Sequence, residues 1–310
     1  MKLANLRNRK FYLGVLLLPL VMLLLVTCSY GIRNEVSVTF NSFVGGTEFI
    51  SGESNRFPFA IVSLDGKELS GAEIMVDFYY LNSGGEEFRF SKRADLLQIG
   101  QPTNHVHDDR IVHEHIDKKN VYIVQDVEFD ISGYWESRFR VDSAGGIKPM
   151  PSNSSFHVRP KPLALSIGES VPIIDNLTYN DDSSEQGIGI KDMHTYSIEE
   201  VISSRKPFLV IWASPSFCVS RLCSPVIEEV VAIKDKYVDR VRFIHIEPWK
   251  VDVARDKGIL QFTENAKVWG IHSEPWVYLV DKFGIVVDRF EGPVSSQELE
   301  SSINRLLSRT

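Results

Sequence analysis

The alternation of apolar and polar positions divides the chain into three unlike stretches. Phe11 through Thr27 is a continuous uncharged apolar run, broken only by Gly14 and Pro19 and preceded by Lys2, Arg7, Arg9 and Lys10. Between residues 33 and 142 the apolar positions recur with a period of two in short segments, which is the strand signature. These segments are Val36–Phe40, Phe57–Leu64, Glu73–Tyr80, Glu87–Arg89, Val121–Phe129 and Tyr134–Val141. The connections carry Gly45-Gly46, Asp65-Gly66, Asn82-Ser83-Gly84-Gly85 and Ser132-Gly133, residues that reach positive φ at low cost. From 143 to 162 the pattern dissolves into a polar stretch punctuated by Pro149, Pro151, Pro160 and Pro162, which reads as a linker.

Beyond it, from 163 to 310, strand and helix patterns alternate. Phe208–Trp212 and Val241–Ile246 are unbroken apolar runs, as in strands covered on both faces. Pro225–Tyr237 and Ser295–Ser308 have helical periodicity, and Glu264–Trp269 reads as a short helix. Trp276–Val280 and Ile285–Arg289 predict a hairpin around Asp281-Lys282-Phe283-Gly284.

Charge changes this picture by exclusion. The formal net charge is −7, which argues against a nucleic-acid partner, because that needs a basic stripe to neutralise phosphates. The basic flank and apolar run of residues 1–32 predict a signal peptide or membrane anchor, with everything after it carried outside the cytoplasm. Leu25-Val26-Thr27-Cys28 resembles the bacterial lipobox, which implies lipidation of Cys28; Thr27 departs from the small residue usual before that cysteine. An uncleaved anchor is the alternative. Both predict a membrane-anchored, extracytoplasmic protein.

Short strands at this spacing predict an all-β immunoglobulin-like sandwich over 33–142. The stretch from Val127 to Glu136 resembles the strand-turn-strand of small extracytoplasmic sandwich domains, some of them linked to copper handling. For the second half the resemblance rests on three places. They are Ile167-Gly168-Glu169-Ser170-Val171-Pro172, then Val210-Ile211-Trp212-Ala213 followed by Cys218, and Glu274-Pro275-Trp276-Val277-Tyr278-Leu279-Val280-Asp281 with Gly284. These resemble the lead-in, the nucleophile-bearing strand, and the proline, strand and turn of membrane-tethered thioredoxins and their peroxiredoxin relatives. The resemblance implies an α/β thioredoxin fold over 163–310, thiol–disulfide exchange through Cys218 and Cys223, and a substrate-facing role for Pro275.

The cysteine spacing departs from that family's Cys-x-x-Cys. On a regular helix, positions five apart are on the order of 140° apart around the axis, too far for a disulfide. Cys218 and Cys223 can pair only across an irregular loop, and Ser224-Pro225, an N-cap and N1 pair, offers a helix start beyond both. A helix starting near Ser216 is the competing reading, with Cys218 a lone thiol. Pro215 stands where peroxiredoxins carry Thr or Ser, which disfavours a peroxidase. Arg221, between the cysteines, could favour a thiolate, and an exposed loop arginine is the alternative reading.

Two other functions fit the residues. Copper chaperones of cytochrome oxidase assembly use Cys-x-x-x-Cys and a distant His; by that resemblance Cys218, Cys223 and His272 would bind and deliver copper, a metal suited to thiolates and imidazole. His105, His107, His113 and His115 form two His-x-His pairs that offer a second metal set, and with Asp108, Asp109, Glu114 and Asp117 around them a solvated polar loop or exposed hairpin is the alternative. The remaining alternative is an interaction module in which the cysteines form a structural disulfide. Exchange itself requires no cofactor, and its partners would be extracytoplasmic thiol or disulfide proteins. His194 and His245 read as structural.

Overall fold

A computed structural model of the protein describes residues 36–44, 48–101, 103–106, 112–115, 118–142, 147–176, 178 and 191–309. The expected N-terminal anchor and the lipidation site at Cys28 lie outside them. Among the described residues no helix is long and apolar enough to cross a membrane.

The first part contains β1 (Val36–Val44), β2 (Phe49–Ile50), β3 (Ser54–Ser63), β4 (Ile74–Asn82), β5 (Gly85–Ile99), β6 (Thr103–Val106), β7 (Val112–His115), β8 (Lys119–Glu128), β9 (Gly133–Val141), β10 (Ile147–Pro151) and β11 (Ser154–Arg159). Nine of these form one sheet in the order β10-β1-β3-β8-β5-β4-β9-β11-β2, while β6 and β7 pair separately. The pairs β1–β10 and β2–β11 are parallel and the others antiparallel. The period of two is visible in what is buried: Phe57, Phe59 and Ile61 of β3, and Ile74, Val76 and Phe78 of β4, share one core with Tyr122, Trp135 and Val158. Within it Phe49, Phe57, Phe78, Phe129 and Phe156 form a contiguous aromatic cluster, a geometry that adds to area burial.

The immunoglobulin-like sandwich expected here is corrected by β5. Its first part pairs with β4, from Asn82↔Gly85 to Ile74↔Ala94, and its end pairs with β8, from Asp95↔Ile123 to Ile99↔Lys119. One strand therefore belongs to both would-be layers, and they become a single curled mixed sheet. The expected strand at Glu87–Arg89 is a fragment of this longer one. The stretch read as a linker also contains structure, since β10 and β11 lie within it. Pro149 and Pro151 are accommodated because β10 is an edge strand of the sheet, where a missing N–H costs no ladder bond.

The second part contains α1 (Ile198–Ser203), β12 (Phe208–Trp212), α2 (Cys223–Tyr237), β13 (Arg242–Ile246), α3 (Val251–Lys257), α4 (Glu264–Val268), β14 (Trp276–Val280), β15 (Val286–Glu291) and α5 (Ser296–Leu307). The sheet order is β13-β12-β14-β15, with β12–β13 parallel and the rest antiparallel. The central strands β12 and β14 are buried on both faces by strict alternation. Leu209, Ile211, Val277 and Leu279 point toward α2 and α5. Phe208, Val210, Trp212, Trp276 and Tyr278 point the other way, toward Trp269 and Ile198. Capping boxes at Ser197/Glu200 and Ser295/Glu298 start α1 and α5.

The fold class expected for this half, and for the chain, is also corrected. The protein is mostly β, a nine-stranded curled sheet and a four-stranded sheet with only about 21% helix, and the α/β thioredoxin fold does not describe it. The physical reason lies in the far face of the small sheet. Ala164, Val171 and Ile174 from irregular chain cover it together with the short α1 and α4, where an α/β layer would place full crossover helices.

Polar contacts join the two parts. The Glu48 carboxylate, fully buried, accepts from the Leu163 and Ala164 N–H groups at 2.5 and 3.2 Å and pairs with Arg289 at 3.1 Å. Glu229 of α2 accepts from the Gly100 N–H at 2.8 Å and the Ser296 N–H at 2.7 Å. Ile99 and Val121 of the large sheet sit in the core shared by α2 and α5.

Candidate functional site

β12 delivers the chain from the sheet interior into an irregular loop, Ala213 to Leu222, that ends at the first residue of α2. Ser214 is buried and its hydroxyl accepts from the Phe217 N–H at 3.0 Å, turning the chain outward. Arg221 adopts φ 60°, the left-handed region that a bulky side chain enters only under constraint. That turn brings Cys223 back: its backbone N–H donates to Cys218 Sγ at 3.3 Å, and the Ser220 hydroxyl lies 3.5 Å from the same sulfur.

The helix begins at Cys223 with Leu222 as N-cap and no side-chain cap. Ser224 is therefore not the cap expected from the sequence, and Cys223 does not lie ahead of the helix. Cys218 does, and the irregular loop lets the cysteines meet despite their spacing. The two sulfurs meet across this loop, and both are free thiols. Cys218 is half-buried and Cys223 fully buried.

The two thiols are driven apart in acidity. The Cys223 side chain, donating to Cys218, is the largest influence holding the Cys218 thiol down to about 5; Ser220 and the backbone N–H groups of Cys223 and Leu222 add to it. The same hydrogen bond pushes Cys223 far above its ordinary value, with burial second. The donors that lower the Cys218 thiol are neutral ones, and Arg221 is not among them.

Glu274 completes the site. It is 7% exposed, and its Oε1 accepts from the Val219 N–H at 2.9 Å. Cys218 Sγ, Cys223 Sγ and a Glu274 carboxylate oxygen lie within 4.8 Å of one another, a group that could hold a metal ion. Burial pushes the Glu274 carboxyl up to about 7, and burial does the same to Glu247, which follows β13. A metal at this group would have to displace the Cys223 proton, and it would find two soft sulfurs and one hard oxygen.

Pro275 follows Glu274 through a cis peptide bond, is buried, and its carbonyl accepts from the Gly292 N–H at 2.9 Å. The group that forms around the cysteines contains Glu274, and His272 is not a member of it. The His272 Nδ1–H donates to the Gly270 carbonyl at 2.8 Å, and its ring stands 5.9 Å from that of Trp276. Trp212 faces the opposite side of the small sheet, 5.4 Å from the Trp269 ring, and not the cysteines. His105 pairs across the β6–β7 ladder with His113, and His115 with Thr103; His107 lies outside the described residues. His194 and His245 are buried and joined at 3.1 Å, and His245 Nε2–H donates to the Ala213 carbonyl at 2.8 Å, so they hold the start of the cysteine loop.

Sequence reasoning missed Glu274 and Glu247. The available signal was an acid set directly against the apolar run that begins at Pro275, where an unpaired charge is costly. Above the site opens a groove of about 750 Å³ lined by Val219, Leu222, Trp249, Phe262 and Glu274 on one side and Val62 and Val121 of the large sheet on the other. No protein-family model matches the chain, and a search of curated proteins finds no match either.

Proposed function

We propose that this chain is a thiol–disulfide exchange protein held on the outer side of a membrane by its N-terminal apolar segment or by lipid on Cys28. The observation that carries the reading is the asymmetric pair: a half-buried Cys218 that receives hydrogen bonds at its sulfur, and a buried Cys223 that supplies them. Thiolate, not thiol, is the nucleophile. Cys218 attacks a partner disulfide, forming one S–S bond and releasing one partner thiolate, which takes a proton. Cys223 then loses its proton and attacks Cys218 Sγ, the second partner thiolate leaves and takes up a proton, and the Cys218–Cys223 disulfide remains, so two electrons pass to the partner. Extracytoplasmic thiol or disulfide proteins are the partners, consistent with the membrane-tethered thioredoxin-like proteins that the sequence motifs resemble.

The test is a redox titration of the full chain with free thiols trapped across graded dithiothreitol buffers. A single two-electron couple above roughly −270 mV supports exchange; a pair oxidised to far lower potential is a structural clasp. Loss of labelled fatty-acid incorporation in Cys28→Ser tests the lipid.

Copper is the second reading, favoured by the Cys218, Cys223 and Glu274 group. It predicts copper(I) binding that falls with Cys218→Ser and with Glu274→Gln but not with His272→Ala.

A further inference from the structure

Cys218 lines a small cavity of about 320 Å³, distinct from the larger groove that Glu274 lines. Two cations, Lys119 and Arg221, stand in its wall beside Ser216, Ser224 and two prolines. Among its described lining residues there is no carboxylate. The chain as a whole carries a net charge of −7, so the surroundings of Cys218 run against the general balance. Lys119 and Arg221 line the larger groove as well, and a segment passing from one cavity to the other runs between them.

Both cations are carried on fixed backbone. Lys119 begins β8 and pairs in register with Ile99 of β5, whose side chain is buried in the core shared with α2. The next N–H, that of Asn120, donates to Glu68 Oε2 at 2.6 Å. Arg221 is exposed and sits at φ 60°. It is pinned on either side: the Val219 N–H donates to Glu274 Oε1 at 2.9 Å, and the Leu222 N–H donates to Ser220 Oγ at 3.2 Å. Groups placed before a ligand arrives lose little freedom when it binds.

The chemistry of the two side chains names the ligand. A guanidinium offers a planar fork that matches a carboxylate, and an ammonium adds a point charge. A carboxylate approaching Cys218 would otherwise be repelled by the reacting thiolate and by the acidic protein around it. We propose that Lys119 and Arg221 bind a carboxylate a few bonds from the disulfide that Cys218 attacks, so that exchange partners are selected for acidic groups flanking their cysteine. The assignment rests on the exchange reading and gives that reading its substrate class. The carboxylate has two sources, an Asp or Glu beside a partner protein's cysteine or a small acidic disulfide. Half of the site comes from the large sheet, through Lys119.

The test uses the reduced full chain and four mixed disulfides, each joining a coloured aromatic thiol to a second thiol. In one pair the second thiol is a short peptide with its cysteine between Glu residues or between Gln residues. In the other it is a mercapto acid or the corresponding amide. The Cys218 thiolate forms a bond to the non-aromatic sulfur, and the S–S bond breaks with its electron pair on the aromatic sulfur, the better leaving group. The readout is the rate ratio of acidic to neutral probe, divided by the same ratio for a free small thiol. It is internal to each protein, so a loss of folded material cancels. The wild type should prefer the acidic probe by roughly tenfold, and Arg221→Gln and Lys119→Gln should each lower that preference by about threefold, the size of an exposed ion pair. The double variant should have none, and Arg221→Lys should keep more than Arg221→Gln. A preference confined to the peptides identifies an acidic protein segment; one confined to the mercapto acid, a small disulfide; one in both pairs, any disulfide with a carboxylate beside it. No preference in the wild type, or one that survives the double substitution, overturns the assignment and leaves exchange standing. If the wild type releases no colour from any probe, or Cys218→Ser still releases it, the exchange reading itself falls.

Discussion

The backbone N–H of Cys223 donates to Cys218 Sγ over 3.3 Å. The first residue of α2 thus contributes twice, with a main-chain donor and with its own thiol, to stabilising negative charge on a sulfur five positions earlier.

The first consequence is a pH profile. Cys218 is held down to about 5, chiefly by Cys223. Its alkylation rate in the reduced protein should rise through about pH 5 and be flat at neutrality. Cys223→Ala should move the midpoint upward. The same group sets a sign for stability. Between about 5 and the ordinary thiol value of 9.0 the unfolded chain holds the proton and the native state does not. Stability from Cys218 is complete above the unfolded value and is lost as pH falls through about 5. A wild-type midpoint near 9 by alkylation would sink this account.

Glu229 is 1% exposed and receives the Gly100 and Ser296 N–H groups and the Gln101 side-chain amide. Glu229→Ala should cost about 3 kcal/mol, because charge-assisted bonds vanish and buried donors are left unpaired. Glu229→Gln, which keeps an acceptor oxygen, should cost less. Urea unfolding followed by tryptophan fluorescence measures both; equal losses would deny the role of the acceptor.

Arg289 is the cation against the fully buried Glu48 carboxylate, and it also donates to the Ala164 and Leu165 carbonyls. Removing it in Arg289→Ala leaves a buried charge unpaired, an expected loss of about 3–5 kcal/mol. Adding Glu48→Ala should return part of that loss. Strictly additive losses in the double-mutant cycle would mean the two side chains do not act as a pair.

Gly270 has φ +70°, and a Cβ there would lie 2.0 Å from the Leu163 carbonyl oxygen. Both the backbone conformation and the contact are closed to other residues, so Gly270→Ala should lose about 3 kcal/mol or more. A melting temperature within a degree of wild type would show that the two backbones can separate.

Several of these features were legible in the sequence, and others were hidden for physical reasons. Strands whose apolar faces alternate cleanly, such as β3, β4 and β9, are visible, as is the Asn82–Gly85 turn that joins β4 to β5. The length of β5 is not, because Glu86, Glu87, Arg89, Lys92 and Arg93 mask a strand that is largely exposed. That one strand turns an expected sandwich into a curled sheet. β10 is hidden by its prolines. Around the site, Cys218 and Cys223 announce themselves by type. Glu274 does not, since its meaning comes from the chain's return to the cysteine loop after β13, α3 and α4. His272 stands only two residues earlier and lies outside the group that the two sulfurs form with Glu274.

The continuity of β5 bears on how this protein can be cut. Gly100 and Gln101, which follow it directly, are docked on α2, whose first residue is Cys223. A fragment beginning after residue 160 would strip Glu229 of two donors and uncover the surface that Ile99 and Val121 close. A fragment ending there would present those apolar side chains to water. Any truncation intended to carry the cysteine chemistry in isolation must start upstream of β1, because the sheet is a wall of the same building and not an attachment to it.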